Sequence, residues 1–249
     1  MPTVKKAAFS ISESGKIRER NEDAFGLFPE RGLFLVSDGM GGNRGGPVAA
    51  RMVVEQLARL IEQRVDPLVA DDVEAITIAL RDCIVGISGQ IHEHGNAHPE
   101  LEGMGATLVL GYRRTNNLFI ANMGDSRAYL FRGGELRQLT EDHSVVGFLV
   151  HDGEIAPAET KTHPARGTVL RFMGMEGVVY PEVPTLAIEP GDRLLLCSDG
   201  LWGMVSDDAI SQILNAQTEP ERACRELVDA ANTAGGRDNI TVLIAGLDG

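Results

Sequence analysis

Apolar residues change their period several times along the chain. Residues 4–11, 24–28 and 33–37 read as strands, the last an unbroken apolar run from Leu33 to Val36. A glycine loop follows, and then Val48, Met52, Val53, Leu57, Leu60 and Ile61 keep helical spacing, with Pro47 expected in the helix's first turn. A second helix is predicted to start near Asp71 and Asp72, which can cap it, and to carry the stripe Val73, Ile76, Leu80, Ile84, Ile87 and Ile91. Residues 106–139 look like a meander of four short strands, jointed at Asn116-Asn117 and Gly133-Gly134. Residues 140–168 are polar and lack a sustained period, as a functional or mobile insert does. Strands return at 184–188 and 193–197, separated by the turn "EPGD". Two helices come next, the second with Thr218 and Glu221 as a capping box and Pro220 in its first turn. "NITVLIAG" supplies a last strand. Strands and helices are segregated, which argues for α+β layers over a doubly wound parallel sheet.

Composition narrows the classes. A chain of 249 residues with 43% hydrophobic and 24% charged residues is an ordinary globular protein with a sizeable core. Its 23 Lys and Arg against 36 Asp and Glu give a net charge of −13, which argues against nucleic acid as a partner. No apolar run is long enough to cross a bilayer, and the first residues do not read as a secretory signal. Cys83, Cys197 and Cys224 are odd in number and scattered, so they read as buried thiols rather than a disulfide framework or zinc knuckle. A cytoplasmic protein, with no membrane partner, is the expectation.

The chemistry begins with a repeat of pattern. "LFLVSDG" at 33–39 and "LLLCSDG" at 194–200 each end an apolar run in Ser-Asp-Gly. Two strand ends of this kind can bring Asp38 and Asp199 to one place, which suits a hard metal ion or acid–base work. Further acids stand at strand ends or beside glycine: Asp125 in "NMGDSR", Asp238 in "GGRDNIT", and Glu22 with Asp23 in "RERNED". Each alone is more often a turn residue. Together they pool negative charge that cations must offset, and oxygen-only ligands select Mg²⁺ or Mn²⁺ over zinc or copper. Arg18, five residues before Asp23, is as consistent with a surface arginine as with a fork for a phosphate. His92, His94 and His98 read as a solvated helix end, His163-Pro164 as a loop shaper, and Trp202 as packing beside the site. No cysteine is followed six positions later by arginine, which excludes a Cys-x₅-Arg phosphatase, and no Gly-x-Ser-x-Gly elbow appears.

The ordered set "RERNED", "SDGMGG", "GDSR", "LTEDHS", "HPAR", "SDGLWG" and "GGRDNIT" resembles the metal-dependent Ser/Thr protein phosphatases of type 2C, in their bacterial branch. The match runs through essentially the whole chain. The resemblance implies one catalytic domain over 1–249, built as an α-β-β-α sandwich of two central antiparallel sheets, with a flap at about 140–170. It implies hydrolysis of phosphoserine and phosphothreonine monoesters by a hydroxide at a binuclear Mn²⁺ or Mg²⁺ centre. Asp38 would bridge the two ions, with the carbonyl of Gly39 on the second and Asp199 and Asp238 on the first. Glu22 and Asp23 would serve the second ion, and Asp125 a third, weaker one. Arg18 would bind the phosphoryl group, making Arg18, Asp38 and Asp199 the catalytic set. Phosphoproteins, a Ser/Thr kinase among them, would be the substrates of a monomeric enzyme. Met40 departs from the animal members, which carry histidine there, and leaves the leaving-group acid to a bound water. A pseudophosphatase that only binds phosphoproteins should have lost some of these acids, and all are present. A phosphatase of a small phosphoester is the other alternative.

Overall fold

A computed structural model describes residues 8–156, 159–160, 162–178 and 180–247. Twelve strands are named among them: β1 (Ala8–Glu13), β2 (Ala24–Phe28), β3 (Leu33–Ser37), β4 (Gly39–Met40), β5 (Gly105–Ala106), β6 (Leu108–Arg114), β7 (Asn117–Met123), β8 (Arg127–Arg132), β9 (Glu135–Gln138), β10 (Thr185–Ala187), β11 (Arg193–Cys197) and β12 (Ile240–Gly246). The helices are α1 (Gly42–Arg64), α2 (Val73–Ala97), α3 (Val145–His151), α4 (Asp199–Trp202), α5 (Asp207–Ala216) and α6 (Pro220–Thr233). Two antiparallel sheets carry the fold, one ordered β1-β12-β11-β8-β9 and the other β10-β7-β6-β3-β2, with β4 and β5 forming a small ribbon.

Strand periodicity explains why four layers form. Along β3, Leu33 and Leu35 face α1 and α2, where they join Leu57, Ile61, Leu80 and Ile84. Phe34 and Val36 face the opposite way, into a core shared with Leu130, Leu194, Leu196 and Leu243 of the other sheet. The β11 residue between Leu194 and Leu196, Leu195, packs with Ile210, Leu214, Leu227 and Val228 under α5 and α6. Successive side chains point to opposite faces, so a strand covered on both sides must be apolar throughout. The unbroken apolar runs are therefore the mark of the α-β-β-α sandwich expected from the sequence.

The structure corrects several local expectations. Of the strand expected at 4–11, residues 4–7 lie outside the described residues, and β1 continues to Glu13. The four strands of 106–139 are not one meander. β6 pairs with β7 and β8 with β9, but β7 and β8 lie in different sheets. The chain crosses between sheets at 124–126, where Gly124 takes φ +111 and a side chain would crowd Thr107. Helix α1 begins at Gly42, with Gly41 at φ +110 as its N-cap, so Pro47 lies inside the helix. There, past the first turn, it forgoes one hydrogen bond that an interior residue would make. Asp72 caps α2 as expected, accepting from the Ala75 N–H at 3.0 Å. Thr218 does not cap α6: Glu219 is the N-cap, no side chain accepts there, and Pro220 opens the helix. The polar insert contains α3, capped by Ser144, and its two limbs meet in a bridge between Ser144 and Val169. No helix among the described residues is long and apolar enough to cross a membrane.

Candidate metal centre

The ends of β3 and β11, the crossing at 124–126, and the segment before β12 come together at one edge of the sandwich. Asp38 is fixed by backbone on both sides. Its N–H donates to Thr107 Oγ1 at 2.9 Å, and its carbonyl accepts from the Thr107 N–H at 2.8 Å. The preceding Ser37 hydroxyl donates to the Thr107 carbonyl at 2.6 Å. Asp199 leaves β11 as the first residue of α4. Behind it, Gly200 lies so close to the Asn239 backbone that a Cβ would collide with its carbonyl. That contact sets Asp199 beside Asp238.

Asp23 is held by two hydroxyls. Ser198 Oγ donates to its Oδ2 at 2.8 Å and Thr241 Oγ1 at 2.6 Å. Asn239 ties the loop before β2 to the same edge. It accepts the Glu22 N–H at 2.9 Å and donates to the Arg20 carbonyl at 2.8 Å. The Glu22 carboxylate lies against Gly46, and Gly46 in turn abuts Gly39, so a side chain at either glycine would collide. This answers why glycines crowd residues 39–46: backbone approaches backbone there. Asp125, buried in the crossing, has its carbonyl engaged by Trp202 Nε1–H at 2.9 Å. Arg18 reaches in from the rim, 58% exposed, and pairs with Asp238 at 2.8 Å.

Electrostatics set these acids apart from ordinary turn residues. Burial first, and then the charges of Asp23, Asp199, Asp125 and Asp238, hold the Asp38 carboxyl well above the usual carboxylate range. Asp199 is raised well above it in the same way, by burial and then by Asp125, Asp238 and Asp23. Burial, opposed by the Thr241 and Ser198 hydroxyls, leaves Asp23 at about 6. Burial and the nearby Asp142 push Asp125 to about 6. In this geometry no three His, Cys, Asp or Glu side chains among the described residues form a ready cage for a metal ion. Two buried oxygens, Asp23 Oδ1 and Asp199 Oδ1, still have no hydrogen-bond partner. Buried carboxylate oxygens are normally satisfied, so the donor set fits a hard divalent cation in its chemistry, though the side chains must shift to clasp one.

The acids singled out from sequence, with Gly39 and Arg18, therefore gather at one edge. Not anticipated were the cradle of Ser198 and Thr241 around Asp23, the bridging role of Asn239, and the partners of Arg127. The first two lay inside the motifs already noted, next to the acids they serve. The site opens into a cleft of about 1710 Å³, lined by Arg18, Asp199 and Asp238 and by His143, Phe148 and Arg166 of the insert. His163 behaves as a loop shaper, accepting the Ala165 N–H at 3.2 Å.

Comparison with known proteins places this geometry. A family model described as protein phosphatase 2C matches residues 16–233. The Ser/Thr phosphatase stp of Listeria monocytogenes is 38% identical over 240 residues, covering 95% of this chain and 94% of that protein. The crystal structure of the Mycobacterium tuberculosis Ser/Thr phosphatase PstP/Ppp superposes with a TM-score of 0.83 at 36% identity, over 97% of this chain and 98% of that one. The catalytic domain of PstP in complex with two manganese ions gives a TM-score of 0.81 at 35% identity, over 96% of each chain. The chain belongs to the protein phosphatase 2C family, the metal-dependent Ser/Thr phosphatases.

Proposed function

We propose that the acids at this edge hold two divalent ions and that the chain uses them to hydrolyse phosphoserine and phosphothreonine in proteins. Asp38 would be shared by the two ions, Asp199 and Asp238 would serve the first, and Glu22, Asp23 and the Gly39 carbonyl would serve the second. Asp125 would hold a third, weaker ion. The observation that carries this reading is the pair of buried, unpartnered oxygens of Asp23 and Asp199 among mutually repelling carboxylates. When bound, the ions supply positive charge at the phosphoryl oxygens and lower the pKa of an attacking water. Both Mn²⁺ and Mg²⁺ suit the oxygen donors.

The protein's own residues bind and orient the substrate. Arg18 is exposed at the rim and its present partner is Asp238. With Asp238 engaged as a cation ligand, the guanidinium fork would be free for two phosphoryl oxygens. Met40 follows Asp38-Gly39, so the chain offers no histidine at that position for the leaving group. A cleft of about 1710 Å³ is far larger than one phosphate monoester needs, which favours a polypeptide substrate over a small phosphoester. A Ser/Thr kinase is among the phosphoproteins we expect it to serve. That every acid of the motif set is present and gathered weighs against a binding-only pseudophosphatase. The family match over residues 16–233 supports one catalytic domain. The test is turnover of a phosphothreonine peptide with Mn²⁺, with Mg²⁺, and after chelation and dialysis. Activity undiminished in the metal-stripped protein would overturn the reading.

A further inference from the structure

We propose that Arg127, Asp142 and Trp202 are positioning residues that hold Asp125 in place and tie it to the base of the flap. The proposal rests on Asp125 as a cation ligand. Asp125 lies in the short crossing between the two sheets, where no strand ladder holds it. Side chains and the flap hold it instead. The Gly124 N–H donates to His143 Nδ1 at 3.3 Å, and the Gly124 carbonyl accepts the His143 N–H at 2.9 Å. Trp202 Nε1–H donates to the Asp125 carbonyl at 2.9 Å. Two residues on, the Arg127 guanidinium lies 3.8 Å from the centroid of the Trp202 ring. It forks onto Asp142 at 2.9 and 2.7 Å and donates to Tyr129 Oη at 3.0 Å. Both members of the Arg127–Asp142 pair are largely buried, 16% and 8% exposed at the side chain.

The choice of Asp142 as the partner of Arg127 has a chemical consequence. A guanidinium this near Asp125 would compete with a metal ion for the carboxylate. Engaged by the Asp142 fork, it holds the turn and leaves Asp125 free for a cation. The same fork anchors the flap, because Asp142 and His143 are where the insert leaves the sandwich. The other limb is pinned separately, by Met173 pairing with Ala106.

Trp202 is the sole tryptophan, so its fluorescence reports this cluster alone. The experiment is a Mg²⁺ titration of metal-stripped full-length protein, read by that fluorescence. Wild type is expected to show a phase that Asp125→Asn lacks. Asp142→Asn should move this phase to about tenfold higher Mg²⁺, the low end of the effect of losing a direct partner of a metal ligand, because Asp142 acts through Arg127 and Trp202. It should leave the remaining phase in place. Arg127→Lys keeps the charge but cannot fork, so it should shift the same phase and serves if Asp142→Asn fails to fold by its melting curve. Glu189→Gln removes the Arg132–Glu189 pair at the other end of β8 and should shift neither phase. The proposal is overturned if wild type and Asp125→Asn give the same curve, or if folded Asp142→Asn and Arg127→Lys titrate like wild type. It is also overturned if Glu189→Gln shifts the phase as far as they do. The readout needs no turnover, so absence of phosphatase activity would strike the functional reading and leave this result standing.

Discussion

Gathering buried acids for a cation should destabilise the fold when the cation is withheld. Asp23 stands at about 6 in the folded protein against an ordinary 3.8, chiefly through burial. The folded state therefore holds a proton that the unfolded chain has released between those values, and stability falls as pH rises through that window. At ~1.4 kcal/mol per pH unit, the full loss for Asp23 is about 3 kcal/mol. About 2 kcal/mol of it falls between about pH 4.5 and 7.5. For a chain of this size that is roughly 4–8 °C in Tm. Asp125, also raised to about 6, adds to it, and Asp38 and Asp199 extend the loss to higher pH. Divalent ions bind the ionised acids and should restore the lost stability at pH 7.5 more than at pH 4.5. The assay is thermal melting of chelated protein across this range, with and without Mg²⁺, for wild type and Asp23→Asn. The variant keeps an oxygen for the Ser198 and Thr241 hydroxyls, so it should melt above wild type at pH 7.5 without metal and gain less from Mg²⁺. A flat pH profile in wild type, or a variant that melts lower at pH 7.5, would refute the reasoning.

Asp38→Asn should lose both core ions in calorimetric counting and lower kcat by about 100-fold or more, whereas Asp125→Asn should keep two ions per chain and lose part of the turnover. Loss of the same ions in both would show the acids are divided wrongly. Arg18→Ala should raise KM about tenfold or more and weaken inhibition by inorganic phosphate, with metal binding intact. Gly200→Ala should cost about 3 kcal/mol or more in chemical denaturation, because the new methyl meets the Asn239 backbone rather than a side chain that can swing away. Shortening the flap between Ser144 and Val169 should reduce turnover of a phosphoprotein more than that of a small aryl phosphate, and equal losses would argue against a role in recognition.

The acids of the site were legible in the chain because their chemistry is local. Ser-Asp-Gly at the end of an apolar run tells both where the strand stops and which group it delivers, and this held for Asp38 and Asp199. The apolar runs of β3 and β11 likewise read as buried strands, and the segregation of strands and helices as α+β layers, whereas the α-β-β-α order came with the family resemblance. What the chain could not express was which strand lies beside which. β7 and β8 look like consecutive members of a meander, yet they belong to opposite sheets, because a period of two specifies the faces of a strand and not its neighbour. Caps were legible only where a single side chain decides them: Asp72 was, while Thr218 lost its place to the backbone of Glu219 and Pro220. Tertiary structure alone decided the supports of the site. Ser198 and Thr241 meet around Asp23 because β11 and β12 pair, and Arg127 meets Asp142 and Trp202 because the crossing at 124–126 brings them together. Such contacts join positions far apart in the chain through sheet register, and register is a property of the assembled sheets.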